Sequence, residues 1–139
     1  MVYNRCVGTR YCSNNCVYKQ RRFNWMSYEW PAEYQGLLNP EVTVRTKGVM
    51  EKCTFCVQRI KRVELDALMN RRAVRDGEIV TACQQTCPAD AIVFGDLKDP
   101  DSRVSRLAAK PHSYRLFEEL NTRPAVHYLK AVARKPLEA

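Results

Sequence analysis

The sequence predicts an α+β chain of short strands, cysteine-bearing loops and long irregular connections. Three observations lead there. Seven cysteines in 139 residues fall into three tight groups: Cys6, Cys12 and Cys16; Cys53 and Cys56; Cys83 and Cys87. Only residues 57–74 show sustained helical periodicity. Elsewhere the apolar residues come in short runs bounded by turn residues, the signature of short strands.

Composition sets the outer limits. Hydrophobic content of 45% excludes wholesale disorder. No apolar run approaches the roughly 20 residues of a membrane-spanning helix. Residues 1–6 lack the apolar stretch of a signal peptide. The net charge is +8, which admits three readings: a nucleic-acid partner, partial offset of negative charge on metal-bound thiolates, or a solvated basic surface.

Along the chain, residues 1–22 are polar and cysteine-rich. Phe23 to Pro40, holding Trp25, Tyr28, Trp30, Pro31 and Tyr34, reads as an irregular loop anchored by aromatics. Glu41 to Arg45 alternates like a short strand. Val57 to Val74 reads as a helix with Val57, Ile60, Val63, Ala67 and Leu68 on one apolar face, and Asp76-Gly77 supplies a turn after it. Glu78 to Val80 and Ala91 to Phe94 read as strands. Between them Thr81 is placed to cap a helical turn carrying Cys83 and Cys87, limited by Pro88. Ser105–Leu107 and Ser113–Leu120 read as modest helices, and the basic tail after Pro124 as extended. The expected division is a cysteine-bearing region at 1–100, with an inserted loop (23–52) and helix (57–74), and a docking tail at 101–139.

The odd number of cysteines and their clustering favour metal ligation over disulfides. Bacterial two-cluster ferredoxins use Cys-x2-Cys-x2-Cys-x3-Cys-Pro. Three thiolates on one loop each reach an iron of a cubane, and the fourth points to the other cluster. Residues 6–16 match this register with Thr9 at the second cysteine position. A neutral hydroxyl is a poor substitute for a thiolate on iron, so this site suits a [3Fe-4S] cluster. Gly8 is expected to let the backbone approach it. Cys53-Thr54-Phe55-Cys56 and Cys83-Gln84-Gln85-Thr86-Cys87-Pro88, with 26 residues between them, form the same motif opened by an insertion, suited to [4Fe-4S] ligation. The Cys12/Cys16 and Cys83/Cys87 spacings repeat the beat of a duplicated ferredoxin. Zinc is the competing reading of a Cys-x2-Cys pair followed by two more cysteines; it leaves the first group unexplained. His112 and His127 stand alone. No nucleophile–base constellation stands out, so no catalytic residue is expected.

These motifs, together with Arg21-Arg22-Phe23-Asn24, Gly48 to Ile60, Phe94-Gly95-Asp96 and Leu120-Asn121-Thr122-Arg123-Pro124, resemble the four-cluster ferredoxin subunits of molybdopterin-type membrane oxidoreductases. Within them the chain is similar to the C-terminal part of the iron–sulfur component of alternative complex III. The resemblance covers nearly the whole chain. Val17 replaces the proline that normally follows the fourth cysteine of the first group; a small backbone change with ligation kept is expected. Only the third and fourth of the family's four cysteine groups are here, so the resemblance implies a fragment of a larger subunit.

Two ligand schemes stay open. Read alone, Cys6, Cys12 and Cys87 would hold the three-iron cluster, and Cys16, Cys53, Cys56 and Cys83 the four-iron one. The family's pairing instead shares each cluster with upstream cysteines: Cys6 and Cys12 with one, Cys53, Cys56 and Cys83 with another, while Cys16 and Cys87 each complete a cluster held upstream. All seven are ligands in both schemes.

The resemblance implies a bacterial ferredoxin-like polycluster domain whose role is electron relay, as a non-catalytic subunit of a quinol-oxidising oxidoreductase. It implies c-type cytochromes and quinol-binding membrane subunits as partners, no nucleic acid, and a peripheral place on the periplasmic face of the bacterial inner membrane. Tyr11, Phe55 and the aromatic loop at 23–34 would either shield clusters from water or pack a core. Three other functional readings stand beside the relay: the electron-transfer subunit of a polysulfide- or tetrathionate-reductase-like molybdoenzyme, a zinc-stabilised nucleic-acid-binding module, and a structural scaffold whose clusters have lost redox function.

Overall fold

A computed structural model describes residues 1–131. The chain divides into two compact units, Met1–Asp66 and Ala67–Ala139. As expected, helices and short strands are mixed. The helices are α1 (Tyr11–Asn14), α2 (Val57–Met69), α3 (Ala82–Gln85) and α4 (Arg103–Ala108), with 3-10 turns at Tyr3–Arg5, Ala32–Leu37 and Glu118–Leu120. The strands are β1 (Arg22–Phe23), β2 (Met50–Glu51), β3 (Ser113–Tyr114) and β4 (Tyr128–Leu129).

In the first unit β1 pairs antiparallel with β2, Arg22 opposite Glu51 and Phe23 opposite Met50. Met50 is the buried anchor of this ladder. The pairing runs on into the loop: the Asn24 N–H donates to the Val49 carbonyl (2.9 Å) and the Gly48 N–H to the Asn24 carbonyl (2.8 Å). Gly8 lies against this corner with φ +71°, and a Cβ there would stand 2.3 Å from the Gly48 carbonyl oxygen. Glycine is therefore required by the backbone crossing at Gly48, a reason that stands beside the expected approach to a cluster.

The second unit is organised by polar anchors. The Ser102 hydroxyl, buried, donates toward the carbonyls of Asp96 (2.7 Å) and Asp99 (2.8 Å) and accepts the Ser105 N–H (3.2 Å), capping α4. The Asp76 carboxylate accepts the Arg103 N–H (2.9 Å), so the Asp76-Gly77 turn is tied to the start of α4. Arg72 grips Glu78 through both guanidinium NH2 groups, one at 2.8 Å. That contact, then the Arg75 N–H, holds the Glu78 carboxyl down at about 2. β3 pairs antiparallel with β4, Tyr114 opposite Tyr128, with ring centroids 5.6 Å apart.

Several expected elements differ. The helix ends at Met69, five residues short of Val74. Arg71 turns left-handed (φ 50°), and the Arg71 and Arg72 N–H groups cap the Leu68 and Ala67 carbonyls. This is the usual helix-ending geometry without the usual glycine. Of its expected apolar face Ala67 is buried and Ile60 and Val63 half-buried, while Leu68 is exposed. Glu41–Arg45 forms no strand, because the Asn39 side chain accepts the Glu41 N–H (3.0 Å) and turns the chain. Glu78–Val80 and Ala91–Phe94 join no ladder among the described residues. Ser113–Leu120 is no helix: its start pairs as β3, and Phe117 at φ 54° breaks the rest. Ser105–Leu107 lies inside α4. Of the basic tail, Tyr128–Leu129 forms β4, and residues 132–139 lie outside the described residues.

Apolar burial is sparse. Met50 and Ala67 are the hydrophobic residues fully buried among those described; Thr81 and Ser102 are buried to the same degree. The aromatic loop is no core: Trp25, Tyr28, Trp30 and Tyr34 are each at least half exposed. Tyr11 is exposed as well, and Phe55 half-buried.

Candidate iron–sulfur ligand loops

The seven cysteines are all free thiols. Each sits on a short, hydrogen-bonded turn, and the turns are built to present sulfur.

In the first unit Gly8 and Arg10 are both left-handed (φ 71° and 64°) and flank Thr9, which is exposed. They bend the chain between Cys6 and Cys12. Cys6 accepts the Met50 N–H on its sulfur at 3.2 Å, so β2 supplies its partner. An open cavity of about 460 Å³ borders Cys6 and is also lined by Tyr3, Arg45 and Lys47. Cys12 lies in α1. Cys16 follows α1 at the next turn. Its thiol is drawn below its ordinary value, first by the Gln20 N–H, against the effect of burial, and further by the Tyr18 and Lys19 N–H groups and the Arg21 guanidinium.

Cys53 and Cys56 precede α2. Phe55 and Cys56 are both left-handed (φ 55°). This curl directs the Phe55 N–H onto the Cys53 sulfur (3.4 Å) and lets the Cys56 carbonyl accept the first helical N–H groups, from Arg59 (2.8 Å) and Ile60 (3.2 Å).

In the second unit Cys83 lies in α3, capped as expected by Thr81. The Thr81 hydroxyl accepts the Gln84 N–H (3.4 Å) and lies 3.2 Å from the Cys83 sulfur. A cysteine sulfur bound to iron carries no proton, so in a clustered site the Thr81 hydroxyl would be the donor of this pair. Cys87 accepts the Ala91 N–H at 3.3 Å.

The sequence singled out the thiols but missed their donors. The Met50, Phe55, Ala91 and Gln20 N–H groups are backbone and leave no sequence signal. The second role of Thr81 beside its capping was equally unmarked. A metal-bound cysteine sulfur is a hydrogen-bond acceptor whose donors tune the cluster, so this donor set fits sulfur-ligated clusters. Among the described residues no group of three His, Cys, Asp or Glu side chains is placed to hold a single metal ion. The cysteines of a cubane each bind a different iron and surround the cluster rather than one ion. His112 is half-buried. His127 bonds Arg115 and Ser113.

With this geometry in place, known proteins offer a comparison. No family model matches the chain. It is 45% identical over 131 residues to the menaquinone reductase iron–sulfur cluster-binding subunit of Nitratidesulfovibrio vulgaris, covering 92% of this chain and 51% of that one. Its homologues are iron–sulfur subunits of oxidoreductases. The Hdr-like menaquinol oxidoreductase iron–sulfur subunit 1 of Archaeoglobus fulgidus is 40% identical over 91% of this chain and 44% of its own length. An iron–sulfur subunit named for dimethyl sulfoxide reductase, from Halobacterium salinarum, is 39% identical over 91% and 42%. The chain thus spans about half the length of the curated relatives it matches. No helix among the described residues is long and apolar enough to cross a membrane.

Proposed function

We propose that this chain is the cluster-bearing part of an electron-relay subunit in a quinone-linked membrane respiratory complex, with Cys6, Cys12, Cys16, Cys53, Cys56, Cys83 and Cys87 as its ligands. The observation that carries this reading is the donor set. Cys6, Cys53 and Cys87 each accept a backbone N–H on sulfur. When bound, the clusters supply one-electron redox chemistry. The chain positions the sulfur ligands and tunes potential through N–H···S bonds. Thr9 at the vacated position supports a [3Fe-4S] centre in the first group, and the other cysteines support [4Fe-4S] centres. Sparse apolar burial supports a fold that leans on its clusters.

Alternative complex III is the specific assembly favoured, with quinol as electron donor, c-type cytochromes as acceptors and a periplasmic site. Two relatives carry menaquinone or menaquinol in their names, which supports the quinone link. A second reading is the electron-transfer subunit of a polysulfide- or tetrathionate-reductase-like molybdoenzyme; the relative named for a dimethyl sulfoxide reductase supports it. Purifying the native complex and adding menaquinol under anaerobic conditions tests both. Cluster reduction followed by haem reduction, with multihaem cytochromes copurifying, is the expected result. A copurifying molybdenum subunit without haem selects the second reading, and clusters that menaquinol cannot reduce contradict the quinone link.

A further inference from the structure

The aromatic loop of the first unit shields no described core. Trp25, Met26, Tyr28, Trp30, Tyr34 and Leu37 are 50–79% exposed. The loop is nonetheless anchored at both ends. At one end Phe23 is in β1, Trp25 packs edge-on against it (centroids 4.7 Å apart), and the Ser27 hydroxyl accepts the Lys47 N–H (3.2 Å). At the other, Glu41 is ion-paired with Arg62 of α2. Between them a 3-10 turn, Ala32–Leu37, fixes the chain around Tyr34.

The charge of this segment is opposite to that of the chain. The protein carries +8, yet residues 23–44 contain no Lys or Arg and three glutamates. Arg62 neutralises Glu41. Glu29 and Glu33 are exposed and make no ion pair among the described residues. They flank Trp30 and precede Tyr34. Exposed Trp and Tyr are the residue types that dominate binding energy at interfaces. Aromatic faces beside unpaired carboxylates attract a guanidinium or ammonium group twice, through the ring quadrupole and through ion pairing. An anionic lipid surface would be repelled by the same carboxylates.

We infer that residues 25–37 form a docking surface for a protein segment bearing Lys or Arg, on another subunit of the complex. The inference rests on the proposed multi-subunit function. Arg10 stacks over both Phe23 (5.3 Å) and Trp25 (5.0 Å), and it lies between Cys6 and Cys12 in the chain. A partner seated here therefore adjoins the first cysteine group and can exchange electrons there.

The test is photo-crosslinking in the intact purified complex, with p-benzoylphenylalanine placed at position 34. The expected product joins this chain to a Lys- or Arg-containing peptide of a different subunit. Glu29→Lys with Glu33→Lys should cut the yield about threefold or more, because a charge at an interface rim governs encounter. The milder Glu29→Gln with Glu33→Gln pair should flatten the salt dependence of the yield even if the reversed variant fails to assemble. Crosslinks to lipid, to a second copy or to another part of the same polypeptide would overturn the inference. So would a yield indifferent to both charge changes. The EPR signals of the clusters should be unchanged in these variants, so this surface can fail while the relay stands.

Discussion

Residues 10–20 and 81–91 belong to different units and different sequences, yet they fold the same turn. Each has a four-residue helix, α1 or α3, carrying Cys12 or Cys83. Asn15 and Thr86 end these helices with matching N–H bonds to the residues two and four before them. The Cys16 and Cys87 N–H groups then bond the Ser13 (3.3 Å) and Gln84 (3.2 Å) carbonyls. Lys19 and Asp90 turn left-handed (φ 49° and 46°) and donate back to the Cys16 and Cys87 carbonyls. The Gln20 and Ala91 N–H groups reach the cysteine sulfurs. Val17 in one and Pro88 in the other leave this bonding unchanged. The difference lies at the entrance. Thr81 caps its helix and contacts sulfur, whereas Arg10 enters left-handed with no side-chain cap and stacks on aromatics instead. The shared half of the turn presents a cysteine sulfur; the variable half sets what surrounds it.

The comparison can be broken most severely at its common element. Cys16→Ser and Cys87→Ser should each remove one cluster's EPR signal and cut electron transfer by more than about tenfold, since even outer-shell partners of a metal cost about that much. If only one of them does so, the two turns are not equivalent. Gly8→Ala should come next. A Cβ would strike the Gly48 carbonyl in a backbone region side chains avoid, costing about 1–3 kcal/mol by chemical denaturation of the clustered protein. Gly77→Ala has open space at φ +81° and should cost only the backbone strain, about 1 kcal/mol.

Thr81→Val sharpens the difference between the entrances. It should cost about 1 kcal/mol for the lost cap and shift one cluster's potential negative, because a donor to sulfur stabilises the more negative reduced state. Arg10→Ala, which removes no donor to the Cys83 sulfur, should leave that potential unchanged in the same redox titration.

The smallest effect is a pH dependence confined to the second unit. Burial, then Arg115, holds His127 below its ordinary value of 6.5, against a weaker opposite pull from Glu118. Its neutral Nε2 accepts the Arg115 Nε–H at 3.0 Å. A group whose folded pKa is lowered contributes stability above its ordinary value and loses it as pH falls through the folded one. Protection of the β3–β4 amides, corrected for intrinsic exchange, should therefore be greatest above 6.5 and fall as pH drops below the folded value, and His127→Gln should abolish that change.

The cysteine pattern made the proposed ligand set and the turn repeat legible, because spacing decides which sulfurs one loop can present. Thr81 and the Asp76-Gly77 turn were legible for similar local reasons. The helix stop at Arg71 was not, since a left-handed arginine carries no glycine signature. Nor was β3: Ser113 and Tyr114 look helical alone and become a strand through Tyr128 and Leu129. The aromatic loop misled most. Its composition suggests a core, but burial depends on what faces a side chain, and a single sequence says nothing of that.

The most direct test of the account is low-temperature EPR of the oxidised intact complex, with iron and zinc quantified on the same sample. The account predicts an oxidised [3Fe-4S] signal that disappears in the Thr9→Cys variant as the vacant ligand position is filled. An EPR-silent, colourless sample with stoichiometric zinc would contradict it and favour the zinc-stabilised module.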